Sequence, residues 1–180
     1  KNVPEGEMIK LLERKGLAFG ADTNASTGFD ATMYKLDLPQ NNADLLDTGL
    51  MLFRETASNL TIAPEAVDRE RGVVLAERRT RNTYALRNTV DSLEFFFPEA
   101  RAAQRMPIGA EQTLAAADAA GLRAFWEREY VPADTVLVIV GDFDPAIVEA
   151  AIAKHFADWQ ARPSPDQPAA GPVEIADAGR

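Results

Sequence analysis

The amino-acid sequence predicts an α+β fold on three observations. Several long segments carry apolar residues at helical spacing. Two short segments rich in Thr, Ala and aromatics flank a turn that contains glycine. A further run, Val136-Leu137-Val138-Ile139-Val140, is wholly apolar and of strand length. Helices and strands follow one another without strict alternation, which is the α+β pattern.

In chain order, Asn2-Val3-Pro4-Glu5-Gly6 reads as a loop entering a helix over Glu7 to Lys15. Met8, Leu11 and Leu12 share one face of that helix, and Gly16 stands where a C-terminal cap belongs. Ala18 to Ser26 and Ala31 to Leu38 read as an antiparallel hairpin turning through Thr27-Gly28-Phe29-Asp30, with Gly28 supplying the turn conformation. In its second strand Thr32, Tyr34, Leu36 and Leu38 alternate with Met33, Lys35 and Asp37. Asn41 or Asn42 caps a helix from Ala43 to about Ala57, whose Leu45, Leu46, Leu50, Leu52 and Phe53 make a broad apolar face.

A second long helix opens at Pro64 or Glu65 and runs past Arg81 toward Arg87. A further helical piece leads to Phe95-Phe96-Phe97, and Pro98, which cannot continue a helix, stops it. Arg101 to Thr113 is expected to be irregular around Pro107 and Gly109, Leu114 to Tyr130 helical, and Val131-Pro132-Ala133-Asp134 its end. Thr135 to Val140, apolar on both faces, is expected to be a central strand. Asp144 starts a last helix through Trp159.

Composition narrows the function. With 46% hydrophobic and 26% charged residues, 180 residues suffice for one substantial core. A net charge of −9 argues against a nucleic-acid partner, since phosphate binding needs clustered Lys and Arg. No apolar run approaches the roughly 18 residues of a membrane span. Without cysteine, any metal must be held by oxygen and nitrogen ligands. Ser26 and Ser92 have no histidine near them to act as base, and Gly16-Leu17-Ala18-Phe19-Gly20 lacks the spacing of a phosphate loop. Phe95, Phe96 and Phe97 fit a core or a domain contact.

The most pointed local pattern is Glu70-Arg71-Gly72-Val73-Val74-Leu75-Ala76-Glu77. In a helix Glu70, Val74 and Glu77 lie close to one face, because seven residues make nearly two turns. Carboxylates beside valines are costly to bury unless they are paired or bind metal. Taken by themselves they read rather as a solvated face, with Arg69, Arg71, Arg78 and Arg79 at hand as ion-pair partners.

Three stretches in order resemble the pitrilysin/insulinase family of zinc peptidases. They are Gly16 to Thr27 followed by Asp30-Ala31-Thr32-Met33-Tyr34, then Glu70 to Glu77, then Pro107-Ile108-Gly109 with Leu122 to Trp126, Tyr130-Val131-Pro132 and Val138 to Asp144. Together they span about residues 2 to 160. The resemblance implies a mixed, largely antiparallel sheet packed with helices. It implies a metallopeptidase domain over 1–160, incomplete at its N-terminus, then a linker over 161–180, with Pro163, Pro165 and Pro168, that leads at Pro172-Val173-Glu174-Ile175 into a strand of a following domain.

For function it implies a zinc-dependent metalloendopeptidase that hydrolyses extended peptides or unfolded protein. Glu77 matches the metal-ligating glutamate, and Glu70 the accompanying acid that supports the catalytic site from behind its ligands. Asn24 and Ala25 match an edge strand that binds substrate through its backbone. The family's His-x-x-Glu-His motif, which supplies two zinc-binding histidines and the water-activating glutamate, is absent. The single histidine, His155, lies elsewhere and reads as a surface or C-terminal-turn histidine of the last helix. The chain therefore reads as a fragment of the N-terminal half, beginning just after that motif, that binds no Zn2+ and is inactive alone. Its expected partners are a substrate, a homologous C-terminal half or partner subunit, and a second copy in a homodimer. Its expected compartment is the periplasm, otherwise the cytoplasm. The alternative is a non-catalytic structural or peptide-binding member of the same family.

Overall fold

A computed structural model describes residues 3–4, 6–18 and 20–172. Asn2, Glu5 and Phe19, and the strand expected over Val173 to Ile175, lie outside the described residues. The chain divides into two compact units. The first comprises Lys1–Ser26, Thr32–Thr61 and Ala124–Pro165, and the second Thr27–Ala31, Ile62–Arg123 and Asp166–Arg180.

The first unit is built around α2 (Ala43–Ser58). Its N-cap is Asn42, whose side chain accepts a hydrogen bond from the Leu45 N–H at 2.8 Å and so satisfies one of the donors left open at a helix start. Leu45 and Leu52 are buried on one face of α2 and Leu50 on another. Leu45 and Leu52 meet Leu12 of α1 (Glu7–Arg14) and Leu17, with Leu11, Leu36, Leu38 and Met51 around them. Gly16, at φ +84°, ends α1 in the left-handed conformation expected of it and turns Leu17 back into this core.

The hairpin consists of β1 (Thr23–Thr27) and β2 (Thr32–Leu36), an antiparallel two-stranded sheet. It is shorter at its base than the sequence suggested, β1 runs one residue past the expected Ser26, and Gly28 keeps an ordinary φ, so the turn falls on the residues after it. Its base is fixed where Leu36 packs on α2: a Cβ added at Gly49 would stand 3.1 Å from Leu36 Cδ2.

α8 (Pro145–Phe156) packs on α2. Asp144 caps it, accepting from Ala146 N–H at 2.9 Å. Arg54 of α2 ties the two helices: Nε donates to the His155 carbonyl at 3.0 Å, Nη2 to Asp158 at 3.0 Å, and the guanidinium lies 5.6 Å over the Trp159 ring. Asp47 accepts from Lys154 Nζ at 2.5 Å and pairs with His155 Nε2 at 2.7 Å.

The strand expected over Thr135 to Val140 is not laddered among the described residues. Val136, Val138 and Val140 are 85%, 73% and 90% exposed while Leu137 and Ile139 are half-buried, the two-residue alternation of an extended chain. A strand exists only with a hydrogen-bonding neighbour, and hydropathy alone could not say whether one was present.

The second unit holds α3 (Pro64–Arg81), α4 (Tyr84–Phe96), α5 (Arg101–Gln104), α6 (Glu111–Ala116) and the start of α7 (Ala119–Glu129). α3 ends at Arg81 rather than nearer Arg87, because Thr83 caps α4 by accepting from Leu86 N–H at 3.3 Å. The expected irregular stretch carries α5, and the expected helix over Leu114 to Tyr130 begins earlier, at Glu111, and is broken between α6 and α7. Asp118 makes that break, accepting from Gly121 N–H at 2.7 Å as a side-chain cap would. Ala100 and Ala103 are the buried apolar residues of this unit among those described.

Truncating Leu50, 2% exposed, to alanine should cost about 2–5 kcal/mol in urea unfolding. Lys154 first, then His155, holds the Asp47 carboxyl below its ordinary value of 3.8. A carboxyl depressed by folding contributes stability above its unfolded pKa and loses it as pH falls through the folded one. Asp47→Asn should therefore lower the urea midpoint slightly at pH 7, and the difference should close below about pH 4.

Candidate functional site

Asn24 and Ala25 stand on β1 and are exposed. The Asp37 N–H donates to the Asp22 carbonyl at 2.7 Å, which sets these two residues opposite each other as a hydrogen-bonded pair. Because such pairs alternate along an antiparallel ladder, Asn24 turns its backbone toward β2 and Ala25 turns its N–H and C=O toward the outer edge. The outward Ala25 N–H donates to its neighbour's side chain, Asn24 Oδ1, at 2.8 Å. Thr23, also outward-facing, accepts from Gly20 N–H at 3.1 Å, closing the strand's beginning. The edge thus offers one backbone donor and one acceptor at Ala25, the donor covered by a side chain that rotation can remove.

Glu70 and Glu77 stand on α3, in the second unit. α3 docks through other residues: Arg71 Nε donates to the Ala117 carbonyl at 3.1 Å and Arg78 Nε to the Gly109 carbonyl at 3.0 Å. The carboxylates are left outward, the Glu70 side chain 61% and the Glu77 side chain 43% exposed. Glu77 pairs with Arg81 at 2.7 Å, one helical turn on, and Glu70 lies 3.5 Å from Arg69 Nε. Of the two settings open to this pair from the sequence, the structure has the solvated face: α3 has no buried residue, and Val73 is 55% exposed. Of the four arginines considered as partners, only Arg69 serves; Arg71 and Arg78 are drawn to carbonyls instead.

His155 stands in the last turn of α8, one of the two places expected for it, and not at the surface: its side chain is only 13% exposed and pairs with Asp47. Sequence reasoning also missed a contact in the first unit, the hydroxyls of Tyr34 and Tyr130 at 2.7 Å with rings edge-on at 6.4 Å. The alternation of β2 placed Tyr34 on the face of Leu36, but nothing local could pair it with a residue so far along the chain.

A family model described as Insulinase (Peptidase family M16) matches residues 1–94, and one described as Peptidase M16 inactive domain matches residues 116–179. The chain belongs to the insulinase family of peptidases. It is 34% identical over 144 residues to a protein named Probable zinc protease PqqL of Escherichia coli, a match covering 80% of this chain and 16% of that one. The crystal structure of the first half of the periplasmic protease PqqL from Escherichia coli superposes with a TM-score of 0.90 at 30% identity, covering 97% of this chain and 37% of that one. The ferredoxin protease FusC in complex with Arabidopsis ferredoxin superposes with a TM-score of 0.82 at 27% identity, over 89% of this chain and 18% of that one. The chain thus spans a small part of the curated relatives it matches.

Zinc in proteins takes about three or four side-chain donors at one point. No group of three His, Cys, Asp or Glu residues stands together among the described residues. His155 is committed to Asp47, and Glu77 offers one carboxylate with only an exposed arginine beside it. The described residues do not by themselves form a zinc centre.

An exposed ion pair one turn apart contributes little. Glu70→Gln and Glu77→Gln should each change folding stability by less than about 0.5 kcal/mol in urea titrations. A larger loss would mean that the glutamates hold the second unit together.

Proposed function

We propose that the protein this chain belongs to is a zinc-dependent endopeptidase acting on extended peptides or unfolded protein segments. The similarity to proteins named zinc proteases supports the class, and the outward-facing Ala25 backbone supports the substrate form. The latter observation carries the reading: a chain that adds to β1 must itself be extended. Its carbonyl takes the Ala25 N–H as Asn24 Oδ1 swings away, and its N–H donates to the Ala25 carbonyl. Backbone pairing of this kind is indifferent to side chains, which suits an enzyme that cuts varied sequences.

On this reading Glu77 is one of the zinc ligands and Glu70 supports the site from behind. Both are outward carboxylates with few local ties, so each can turn to a metal held by other donors. Those donors lie in the rest of a protein of the relatives' length, as does the homologous half or partner subunit that would enclose substrate. Residues 161–180 would be the linker toward it; the Arg101 N–H donates to the Ala170 carbonyl at 2.9 Å. The periplasmic label of the PqqL structure supports the periplasm as compartment. No described helix is long and apolar enough to cross a membrane.

A second reading, a member that binds peptides without cutting them, is favoured by the match of residues 116–179 to the inactive-domain model. Zinc content and peptide hydrolysis in the full-length protein separate the two. The enzyme reading expects one bound zinc and an affinity lowered by roughly 100-fold or more in Glu77→Gln, since even groups behind the ligands are worth about 10–100-fold. Absence of zinc, or zinc affinity indifferent to Glu77→Gln, would leave the non-catalytic reading.

A further inference from the structure

We propose that the hydrogen bond between the Tyr34 and Tyr130 hydroxyls is a positioning device that fixes the substrate-binding edge of β1 at the height and tilt a peptide strand needs. The inference rests on the reading of Asn24-Ala25 as a substrate edge, and names the residues that hold that edge in place.

The register supplies the first step. With Asp22 opposite Asp37, Ala25 falls opposite Tyr34 as a non-hydrogen-bonded pair, the pairing in which cross-strand side chains approach most closely. Whatever holds Tyr34 therefore holds Ala25.

The second step is how exposed the hairpin is. Every residue of β1 and β2 except Thr23 and Leu36 is exposed, so the hairpin has no apolar face buried along its length. An isolated two-stranded hairpin is marginally stable in water. Its base is anchored by Leu36 on Gly49 and by the Asp37 to Asp22 hydrogen bond. Beyond the base, within the first unit, a hydrogen bond from the middle of β2 reaches the residue after α7, Tyr34 to Tyr130 at 2.7 Å.

The third step is what stands behind Tyr130. Its ring lies 6.3 Å from that of Trp126, one turn back on α7, and Trp126 Nε1 donates to the Thr56 carbonyl of α2 at 3.1 Å. The Tyr130 carbonyl itself receives Arg162 Nη2 at 3.4 Å. A line of contacts thus runs from the buried helix α2 through Trp126 and Tyr130 to Tyr34, and ends opposite Ala25. Partial withdrawal of its hydroxyl from water, then the bond to the Tyr130 hydroxyl, raises the Tyr34 pKa above its ordinary value.

The test is Tyr34→Phe, Tyr130→Phe and their combination in the full-length zinc-loaded protein, beside Ala25→Pro, which deletes the outward N–H without removing a ladder bond. Each Phe variant keeps its ring and loses only the hydroxyl. Two quantities are read: KM and kcat on a fluorogenic extended peptide, and the Kd of a labelled extended peptide for the metal-depleted protein. Loss of one hydrogen bond should raise KM and Kd by about three- to tenfold with kcat within about twofold, and the double variant should be no worse than either single one, since all three lose the same bond. Amide exchange at Ala25 should quicken in each.

If Ala25→Pro raises KM and the Phe variants do not, the positioning role is wrong while the edge stands. If Ala25→Pro also leaves KM and Kd unchanged, the edge reading has failed and the positioning role with it. A lowered melting temperature with unchanged KM would make the tyrosine pair a structural contact only and overturn the proposal.

Discussion

The first unit depends on the burial of α2. Leu45 and Leu52 leave water on one face and Leu50 on another, and the elements around them are placed by what those faces can accept. Leu12 and Leu17 come to it because Gly16 turns the chain, and Leu36 because Gly49 has no Cβ to hold it off. At about 25 cal/mol per Å2 of apolar area, a few fully buried leucines outweigh any hydrogen bond in the unit. The hairpin, exposed along almost its whole length, is therefore an appendage whose position is inherited from α2.

Polar contacts then fix what apolar burial leaves free. Arg54 is 13% exposed on its side chain and contacts α8 by hydrogen bonds and by stacking on Trp159, so α8 cannot slide along α2 without breaking directional bonds. Asp47 adds a second tie through Lys154 and His155. The same logic places the hairpin: Leu36 decides that its base touches α2, and Tyr34 decides its angle. In the second unit burial is thin, and arginine side chains on backbone carbonyls join α3 to its neighbours. That division leaves Glu70 and Glu77 outward, since the docking face of α3 is the one that carries Arg71 and Arg78.

Exposure is what a binding edge and a metal ligand need. A backbone donor already paired in a ladder cannot take a substrate, and a carboxylate buried in a structural ion pair cannot turn to a metal without a large desolvation cost. The Ala25 N–H is covered by the Asn24 side chain alone, and Glu77 by a solvent-exposed arginine. Both covers are weak enough to yield to a better partner.

By itself the sequence determined the α+β class, the helices α1, α2, α3, α4 and α8 with Asn41 or Asn42 and Asp144 as caps, the hairpin, and the three motifs by which the chain resembles its family. These are readable because a cap, a turn or a helical face is set by residues within a few positions of one another. Only the tertiary structure decided that Thr135 to Val140 has no ladder partner among the described residues, and that His155 is packed against Asp47. It likewise decided that Glu70 and Glu77 face outward and that Tyr34 meets Tyr130. Each of those outcomes depends on which distant segment arrives beside a residue. Local propensity carries no record of that, because packing is chosen by the whole buried surface rather than by neighbours in the chain.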